Sequence, residues 1–228
     1  MAISVMSAGV RNPPSEADYV LKTQPPQEVV RFVCPAPVRT IVFVCDGSAS
    51  IHGTAATVKD ELNRAVLALR PIDWFDVIFY RDGNADAFKT DMVAAAPVTK
   101  RHCAVWMDGV RMEGKSDPVA ALDTAMKLKP NRIYFITGPV GFPNAREIKT
   151  AINRGNKDRK IKISTILFVA NAAERAKNES LELLLKDVAA NNGGKFRLAD
   201  VASIRDSVKS GHEPATQPAS PSGSASSR

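Results

Sequence analysis

The residues best placed to do chemistry follow a short apolar run near the start of the chain. Residues 41–45 read Ile-Val-Phe-Val-Cys, and Asp46-Gly47-Ser48-Ala49-Ser50 follows directly. One carboxylate and two hydroxyls at alternate positions can direct three oxygen atoms at one point, and oxygen is the ligand that Mg²⁺ prefers. The same residue types also favour turns and helix caps through local hydrogen bonds. The pattern alone therefore leaves a metal site and a capped turn as alternatives.

The apolar run predicts a β-strand buried on both faces, because it is short, rich in β-branched residues and closed by a polar turn. A turn at 82–84 indicates that the short run 85–88 is an antiparallel edge strand. In the helix predicted at 99–110, we expect Val105 and Trp106 to be buried. The other predicted strands cover residues 74–80, 131–137, 162–169 and 195–198, and the other predicted helices cover 54–69, 118–127, 144–153, 180–192 and 202–208.

Strands that alternate with helices predict an α/β fold. We expect a doubly wound, mostly parallel six-stranded sheet with one antiparallel edge strand and helices on both faces. Ligands of such sheets bind beyond the carboxyl ends of the strands, where the strand order reverses. The first strand usually flanks that point, so Asp46, Ser48 and Ser50 are predicted to lie where this architecture places its sites.

The composition fits one domain with two extensions. The chain has 228 residues, of which 44% are hydrophobic, enough for one good-sized core. Residues 1–38 are rich in proline and predict an extended arm, residues 39–210 predict the folded domain, and residues 211–228 predict a disordered tail rich in Pro, Ser and Ala. The three cysteines match no zinc spacing.

Charge and hydropathy limit the partners and the location. The net charge of +7 permits an acidic partner, although a charge of this size bears on solubility first. The longest apolar runs have the length of a strand, so the sequence predicts no direct insertion into a membrane. The first ten residues lack the pattern of a signal peptide, which predicts a cytoplasmic protein if Met1 is the natural start.

Two further polar loops accompany the first one, at Gly114-Lys115-Ser116-Asp117 and at Thr137-Gly138-Pro139-Val140-Gly141. With these loops, residues 39–208 resemble a von Willebrand factor type A domain. The phrases Ala121-Leu122-Asp123-Thr124-Ala125 and Ile133-Tyr134-Phe135-Ile136-Thr137 resemble bacterial members in particular. The family's metal-ion-dependent adhesion site uses Asp-x-Ser-x-Ser in the first loop, a Thr in the second and an Asp in the third.

The resemblance implies Mg²⁺ ligands in the first two loops. These are Asp46, Ser48, Ser50 and Ser116, with Asp117 as a possible addition that suits a helix cap equally well. Gly138 stands where the family has its third-loop aspartate. Loss of an outer-shell group typically lowers metal affinity about 10- to 100-fold. We therefore expect a partial Mg²⁺ site that is weak or vestigial.

Two rival classes of function find less support. His52, His102 and His212 are scattered, and the sequence contains no phosphate-binding loop and no nucleophile elbow, so we expect no enzymatic activity. Few aromatic residues are interleaved with the basic run between Arg154 and Lys162, so a nucleic-acid-associated protein that uses the segment near Arg159 is only a less favoured alternative. The expected function is a non-enzymatic protein-protein interaction module that recognises a protein partner at the loops on the carboxyl-end face of the sheet. The alternative is a functional Mg²⁺ site that binds a partner carboxylate.

Overall fold

A computed structural model describes residues 37–139, 142, 145–202 and 204. In that part of the chain, seven strands form one sheet. The strands are β1 (Thr40–Asp46), β2 (Trp74–Arg81), β3 (Asn84–Ala87), β4 (Val93–Ala94), β5 (Arg132–Thr137), β6 (Lys162–Val169) and β7 (Gly193–Asp200). The helices are α1 (Ala55–Leu67), α2 (Pro97–Gly109), α3 (Val119–Lys127), α4 (Ala145–Gly155), α5 (Ala172–Ala176) and α6 (Glu179–Asn191), and a 3-10 turn (Ala49–Thr54) precedes α1.

The sheet has the strand order β3-β2-β1-β5-β6-β7, and β4 pairs with β2. Strands β1, β2, β5, β6 and β7 are parallel, whereas β3 and β4 run antiparallel to β2. The order reverses at β1, which has β2 on one side and β5 on the other. The carboxyl ends of β1 and β5 therefore border the crevice where doubly wound sheets bind ligands. The predicted α/β architecture and its antiparallel edge are confirmed.

Helices cover both faces of the sheet and create two cores. On the face that we call the first face, α1 and α2 pack against residues such as Phe43 and Phe79. On the second face, α3, α4 and α6 pack against residues such as Val44 and Phe135. Successive residues of each strand alternate between these two cores, which explains why the strands read as continuous apolar runs.

The strand count differs from the prediction by one. The additional strand, β4, has two residues, which pair with Trp74 and Phe75 at the start of β2. Two residues cannot show an alternating pattern, so the sequence offered no signal for this strand. The short helix α5 was also not predicted, and it has no buried residue that would mark an apolar stripe.

The prediction for the buried face of α2 was wrong in part. Val105 is 73% exposed and Trp106 is half-buried. The residues of α2 that face the core are Cys103 and Met107, together with the stem of Lys100. The Lys100 ammonium donates to carbonyls at the end of α1, so a charged residue occupies a position of the buried stripe. The sequence pattern was misread because this stripe includes a lysine.

Several predictions fall on residues outside the described part. These are the arm 1–38 except for Pro37 and Val38, the tail 211–228, the first residue of the helix predicted at 144–153 and most of the helix predicted at 202–208. Within the described ranges, no helix combines the length and the apolar character required to cross a bilayer.

Candidate functional site

Asp46 ends β1 at the carboxyl edge of the sheet and is 1% exposed. Its Oδ1 accepts a hydrogen bond from the backbone N–H of Ser48 at 2.9 Å. Its Oδ2 lies 3.0 Å from the Ser116 hydroxyl, 3.3 Å from the Thr137 hydroxyl and 3.4 Å from the backbone nitrogen of Gly138, all of which donate to it. One buried carboxylate therefore joins the three loops that the sequence predicted to meet.

Ser48 and Ser50 complete the first loop. Their hydroxyl oxygens lie 2.8 Å apart, and the Ser50 hydroxyl lies 3.5 Å from Oδ2 of Asp46. The Ser48 hydroxyl oxygen also accepts the Ser50 N–H and caps the 3-10 turn. The hydrogen bonds are those of a capped turn, and they also gather the three oxygen atoms of the predicted motif at one point.

Ser116 brings the second loop to Asp46. Ser116 is buried, and a backbone hydrogen bond of 3.1 Å from Ala49 to the Gly114 carbonyl ties the first two loops together. Gly114 has a φ of +78°, and a Cβ at this position would lie 2.0 Å from the Asp82 carboxylate. The close approach of the second loop therefore requires glycine here.

Asp117 has a structural contact of its own. Its Oδ1 accepts the backbone N–H of Val119, the first residue of α3, at 3.2 Å. A carboxylate at this place satisfies an otherwise unpaired N–H and interacts favourably with the positive end of the helix. Of the two roles open to Asp117, the described contact is that of a helix cap.

The third loop differs most from a metal site. Gly138 lies directly against Ile51, a residue of the 3-10 turn that is 1% exposed. A Cβ built on Gly138 would come 2.2 Å from Cγ2 of Ile51, well inside van der Waals contact. The position at which the family carries its third-loop aspartate thus lacks room for a side chain as well as the carboxylate. An apolar methyl group fills that space.

Gly138→Asp should therefore destabilise the protein by about 1–3 kcal/mol, the typical cost of overpacking. Ile51→Ala alone should cost about 2–5 kcal/mol through lost burial and the cavity. In the double variant the two changes should partly compensate, because alanine at 51 makes room for the side chain at 138. Urea denaturation of the wild type, both single variants and the double variant measures this coupling. Strictly additive losses would show that the two positions do not compete for space.

Tyr80 lies beneath the site and was not identified from the sequence. It is fully buried in β2, and its hydroxyl donates to the Ile136 carbonyl at 3.5 Å. Burial raises the pKa of Tyr80 well above its usual value, and the nearby charge of Asp46 adds to the shift. The phenol therefore stays protonated, and the buried polar network around Asp46 continues below the loops.

The assembled donors do not fit a complete Mg²⁺ adhesion site. They comprise the single carboxylate of Asp46 and the hydroxyls of Ser48, Ser50, Ser116 and Thr137. Within the described ranges, no group of three His, Cys, Asp or Glu side chains is arranged to hold a metal ion. The remaining oxygens are hard ligands of the type that Mg²⁺ accepts, but the third side is closed by Ile51.

The rim of the site is polar and exposed. His52 and Gly53 project from the first loop, and Glu113 and Lys115 project from the second. Neither His52 nor His102 forms a hydrogen bond to another described side chain, so no serine-histidine or cysteine-histidine pair is assembled among the described residues. The rim carries one acidic and one basic side chain, Glu113 and Lys115, around the buried hydrogen bonds of Asp46.

Neither a protein-family model nor a curated protein sequence matches the chain. Solved structures share its fold. A von Willebrand factor type A protein from Catenulispora acidiphila superposes with a TM-score of 0.57 at 12% sequence identity, covering 77% of this chain and 42% of that one. The pilus adhesin SpaC from Lactobacillus rhamnosus GG, in its open conformation, superposes with a TM-score of 0.56 at 10% identity, covering 77% and 30% of the two chains. This chain therefore matches less than half the length of either protein.

Proposed function

We propose that this chain, which has the von Willebrand factor type A fold, is a non-enzymatic protein-interaction module that functions without a resident metal ion. A protein partner binds at the loops on the carboxyl-end face of the sheet. The observation that carries the proposal is the contact between Ile51 and Gly138, because a methyl group occupies the space that a third-loop carboxylate would need.

Hydrogen bonds take over the structural task that a metal would perform. Asp46 accepts donors from all three loops, so the loops are held together by the protein itself. A buried carboxylate satisfied in this way needs no cation to offset its burial. The exposed charges of the rim, Glu113 and Lys115, then remain free for direct contacts with a partner.

A second candidate is a weak Mg²⁺ site that receives a carboxylate from the partner. It is favoured by the convergence of Ser48, Ser50 and Ser116 on Asp46, since hydroxyls can turn their protons away and present lone pairs to a cation. In this arrangement Asp46 and the three hydroxyls would hold Mg²⁺, and the ion would supply a positive charge for the partner carboxylate.

A magnesium titration separates the two candidates. Calorimetry and the thermal midpoint should show no response of the wild type to millimolar Mg²⁺, whereas a site filled a hundredfold above its Kd would stabilise the fold by about 2.7 kcal/mol. Asp46→Asn is the control, since it keeps the shape of the side chain and removes the charge. A midpoint that rises in the wild type and not in Asp46→Asn would establish the second candidate.

Partner binding tests the module itself. A partner captured by the immobilised protein should be retained in the presence of a chelator and lost in the rim variant Glu113→Lys/Lys115→Glu. This variant conserves net charge and inverts its arrangement. Asp158→Lys/Lys160→Asp is the matched control, because both positions are exposed in the segment that enters β6 at the opposite, amino end of the sheet. Binding that survives the rim variant would place the interface elsewhere.

A further inference from the structure

The first face of the sheet carries four cations on its β5–β7 half. Arg132, Lys162, Lys195 and Arg197 are all exposed. They lie far apart in the sequence, and the strand register brings them together. The opposite face of the same strands is a closed core that includes Ile133, Phe135, Ile163 and Leu167.

The register fixes how these side chains are arranged. Arg132 and Lys162 are direct partners in β5 and β6, and Arg197 is the partner of Ile166, which belongs to the first face. Lys195 lies two residues before Arg197, and its backbone N–H donates to the Ser164 hydroxyl at 3.2 Å. Neighbouring strands are about 4.8 Å apart and successive residues about 3.3 Å apart, so the four cations spread over about 10 Å across the strands and about 13 Å along them.

Among the described residues of β5, β6 and β7, no anion offsets this charge on the same half of the face. The residues of β5, β6 and β7 that point to the first face include no Asp or Glu. Within the described part of the chain, no carboxylate lies within ion-pair distance of Arg132, Lys162, Lys195 or Arg197. The four charges are therefore available to an external anion.

An aromatic ring lies within the same surface. Tyr134 follows Arg132 by two residues and is the register partner of Ser164. Along the strand direction it therefore lies between the level of Arg132 and Lys162 and the level of Arg197. Its ring is half-buried and stacks on Phe43 at a centroid distance of 5.4 Å and an interplanar angle of 16°. The stacking holds the ring in place on the sheet.

We propose that this surface binds single-stranded nucleic acid, with phosphates on Arg132, Lys162, Lys195 and Arg197 and a base against Tyr134. Proteins that bind single strands combine a cationic track for the backbone with aromatic rings on which bases stack. The basic run between Arg154 and Lys162, judged by itself, argued against nucleic acid because it lacks aromatics. The sheet face shares only Lys162 with that run, and it contains an aromatic residue.

Other anionic partners fit the surface less well. Phosphate groups spaced along a flexible strand can follow cations on three adjacent strands, and the half-buried Tyr134 ring offers an aromatic surface for a base. The large hydrophobic residues that are exposed, such as Trp74 and Val105, lie on other elements, so this face offers no apolar group for insertion into a lipid surface. An acidic polypeptide would use the charges but would not require the ring.

The salt dependence of binding tests the charges. Fluorescence anisotropy of a labelled 15-nucleotide single strand with the full chain should give a slope of log K against log salt of about −2.8, for four phosphates at about −0.7 each. Affinity should fall about 50-fold between 50 and 200 mM salt. Lys162→Ala/Arg197→Ala should reduce the slope to about −1.4. The matched control Arg101→Ala/Lys177→Ala removes two exposed cations from other elements and should keep the full slope.

Tyr134 supplies a separate test of base stacking. Tyr134→Leu should weaken binding about 5- to 150-fold at fixed salt and leave the slope unchanged. Tyr134→Phe should bind like the wild type. Circular dichroism and the thermal midpoint establish that each variant is folded.

Four results would overturn the proposal. The first is that the full chain does not bind the strand at 50 mM salt, and the second is that the control variant loses as much slope as Lys162→Ala/Arg197→Ala. The third is that a duplex of the same length binds more tightly than the single strand. The fourth is that polyglutamate or anionic vesicles bind with the same affinity as the strand and that Tyr134→Leu has no effect on binding. The last result would identify a general anion-binding surface.

Discussion

Asp73→Ala should lower the free energy of unfolding by about 3–5 kcal/mol, the loss typical of a broken buried ion pair. The Asp73 side chain is 0% exposed and lies just before β2. It accepts hydrogen bonds from the backbone N–H and the guanidinium of both Arg39 and Arg70. One carboxylate thus ties the start of β1 to the turn that enters β2, and alanine would leave several of these donors unpaired.

The effect of Asp73 should depend on pH. Hydrogen bonds from Arg70 and then Arg39 hold the pKa of Asp73 far below its usual value of 3.8. A carboxylate with a depressed pKa stabilises the fold fully above its unfolded pKa, and that contribution is lost as the pH falls toward the folded pKa. Urea denaturation should therefore show the full difference between wild type and variant at pH 7 and a smaller one below about pH 4.

A surface pair provides the control for Asp73. Glu61 pairs with Arg64 on the exposed side of α1, and Glu61→Ala should change stability by less than about 1 kcal/mol. If Asp73→Ala cost no more than Glu61→Ala, the buried carboxylate would not be organising this end of the sheet. A stability difference between wild type and Asp73→Ala that stays constant between pH 7 and pH 3 would contradict the lowered pKa of Asp73.

The architecture was predictable from the sequence because the residues of each buried strand form a nearly continuous apolar run. Residues 162–169 were predicted as a strand, and β6 has those bounds. Where the pattern is too short or is interrupted, prediction failed. The two residues of β4 carry no period, and Lys100 in the buried stripe of α2 obscured its phase, so Val105 was assigned to the core.

The sequence predicted which polar side chains form the site. It could not predict that position 138 has no room for a side chain. Asp46, Ser48, Ser50 and Ser116 converge as expected from strand ends that meet at one edge. The sequence showed that Gly138 lacks a carboxylate. It could not show that Ile51 fills the space above it, because that contact joins residues 87 positions apart and depends on the backbone of two loops.

The cationic sheet face illustrates a second limit of sequence reading. A basic segment such as 157–162 is conspicuous in the sequence, but only Lys162 of this segment lies on a strand. Arg132, Lys162 and Arg197 belong together only through the register of β5, β6 and β7. Charge patches on sheets therefore follow from strand order, and local sequence offers little signal for them.

Asp76 should make the protein less stable as the pH rises. The residue lies in β2, is 0% exposed and accepts a hydrogen bond from the Lys89 N–H through Oδ1 at 3.1 Å. Its Oδ2 has no hydrogen-bond partner among the described residues. Burial is the main cause that raises the pKa of Asp76 to about 7, and the negative charge of Asp91 adds to it. The fold therefore holds a neutral carboxyl group at a pH where the unfolded chain is already ionised.

The sign follows from the raised pKa. Below about pH 4 the carboxyl group of Asp76 is neutral in both the folded and the unfolded state, so its ionisation does not affect the free energy of unfolding. Between pH 4 and pH 7 the group ionises in the unfolded state but stays neutral in the folded state. The wild type should lose up to about 4 kcal/mol over this interval, and Asp76→Asn should remove that loss. The amide leaves one buried N–H unpaired at a cost of about 1–3 kcal/mol, but this cost is the same at every pH.

The slope of stability against pH is therefore the decisive measurement for Asp76, and the absolute stability of the variant is not. Urea denaturation from pH 4.5 to 8.5 should show Asp76→Asn gaining stability relative to the wild type up to about pH 7, with parallel curves above that pH. Asp86→Asn changes a carboxylate that is 45% exposed and pairs with Arg81, so its curve should stay parallel to the wild type. Parallel curves for Asp76→Asn as well would mean that Asp76 is ionised in the folded protein, and a donor to Oδ2 would then have to exist in the fold.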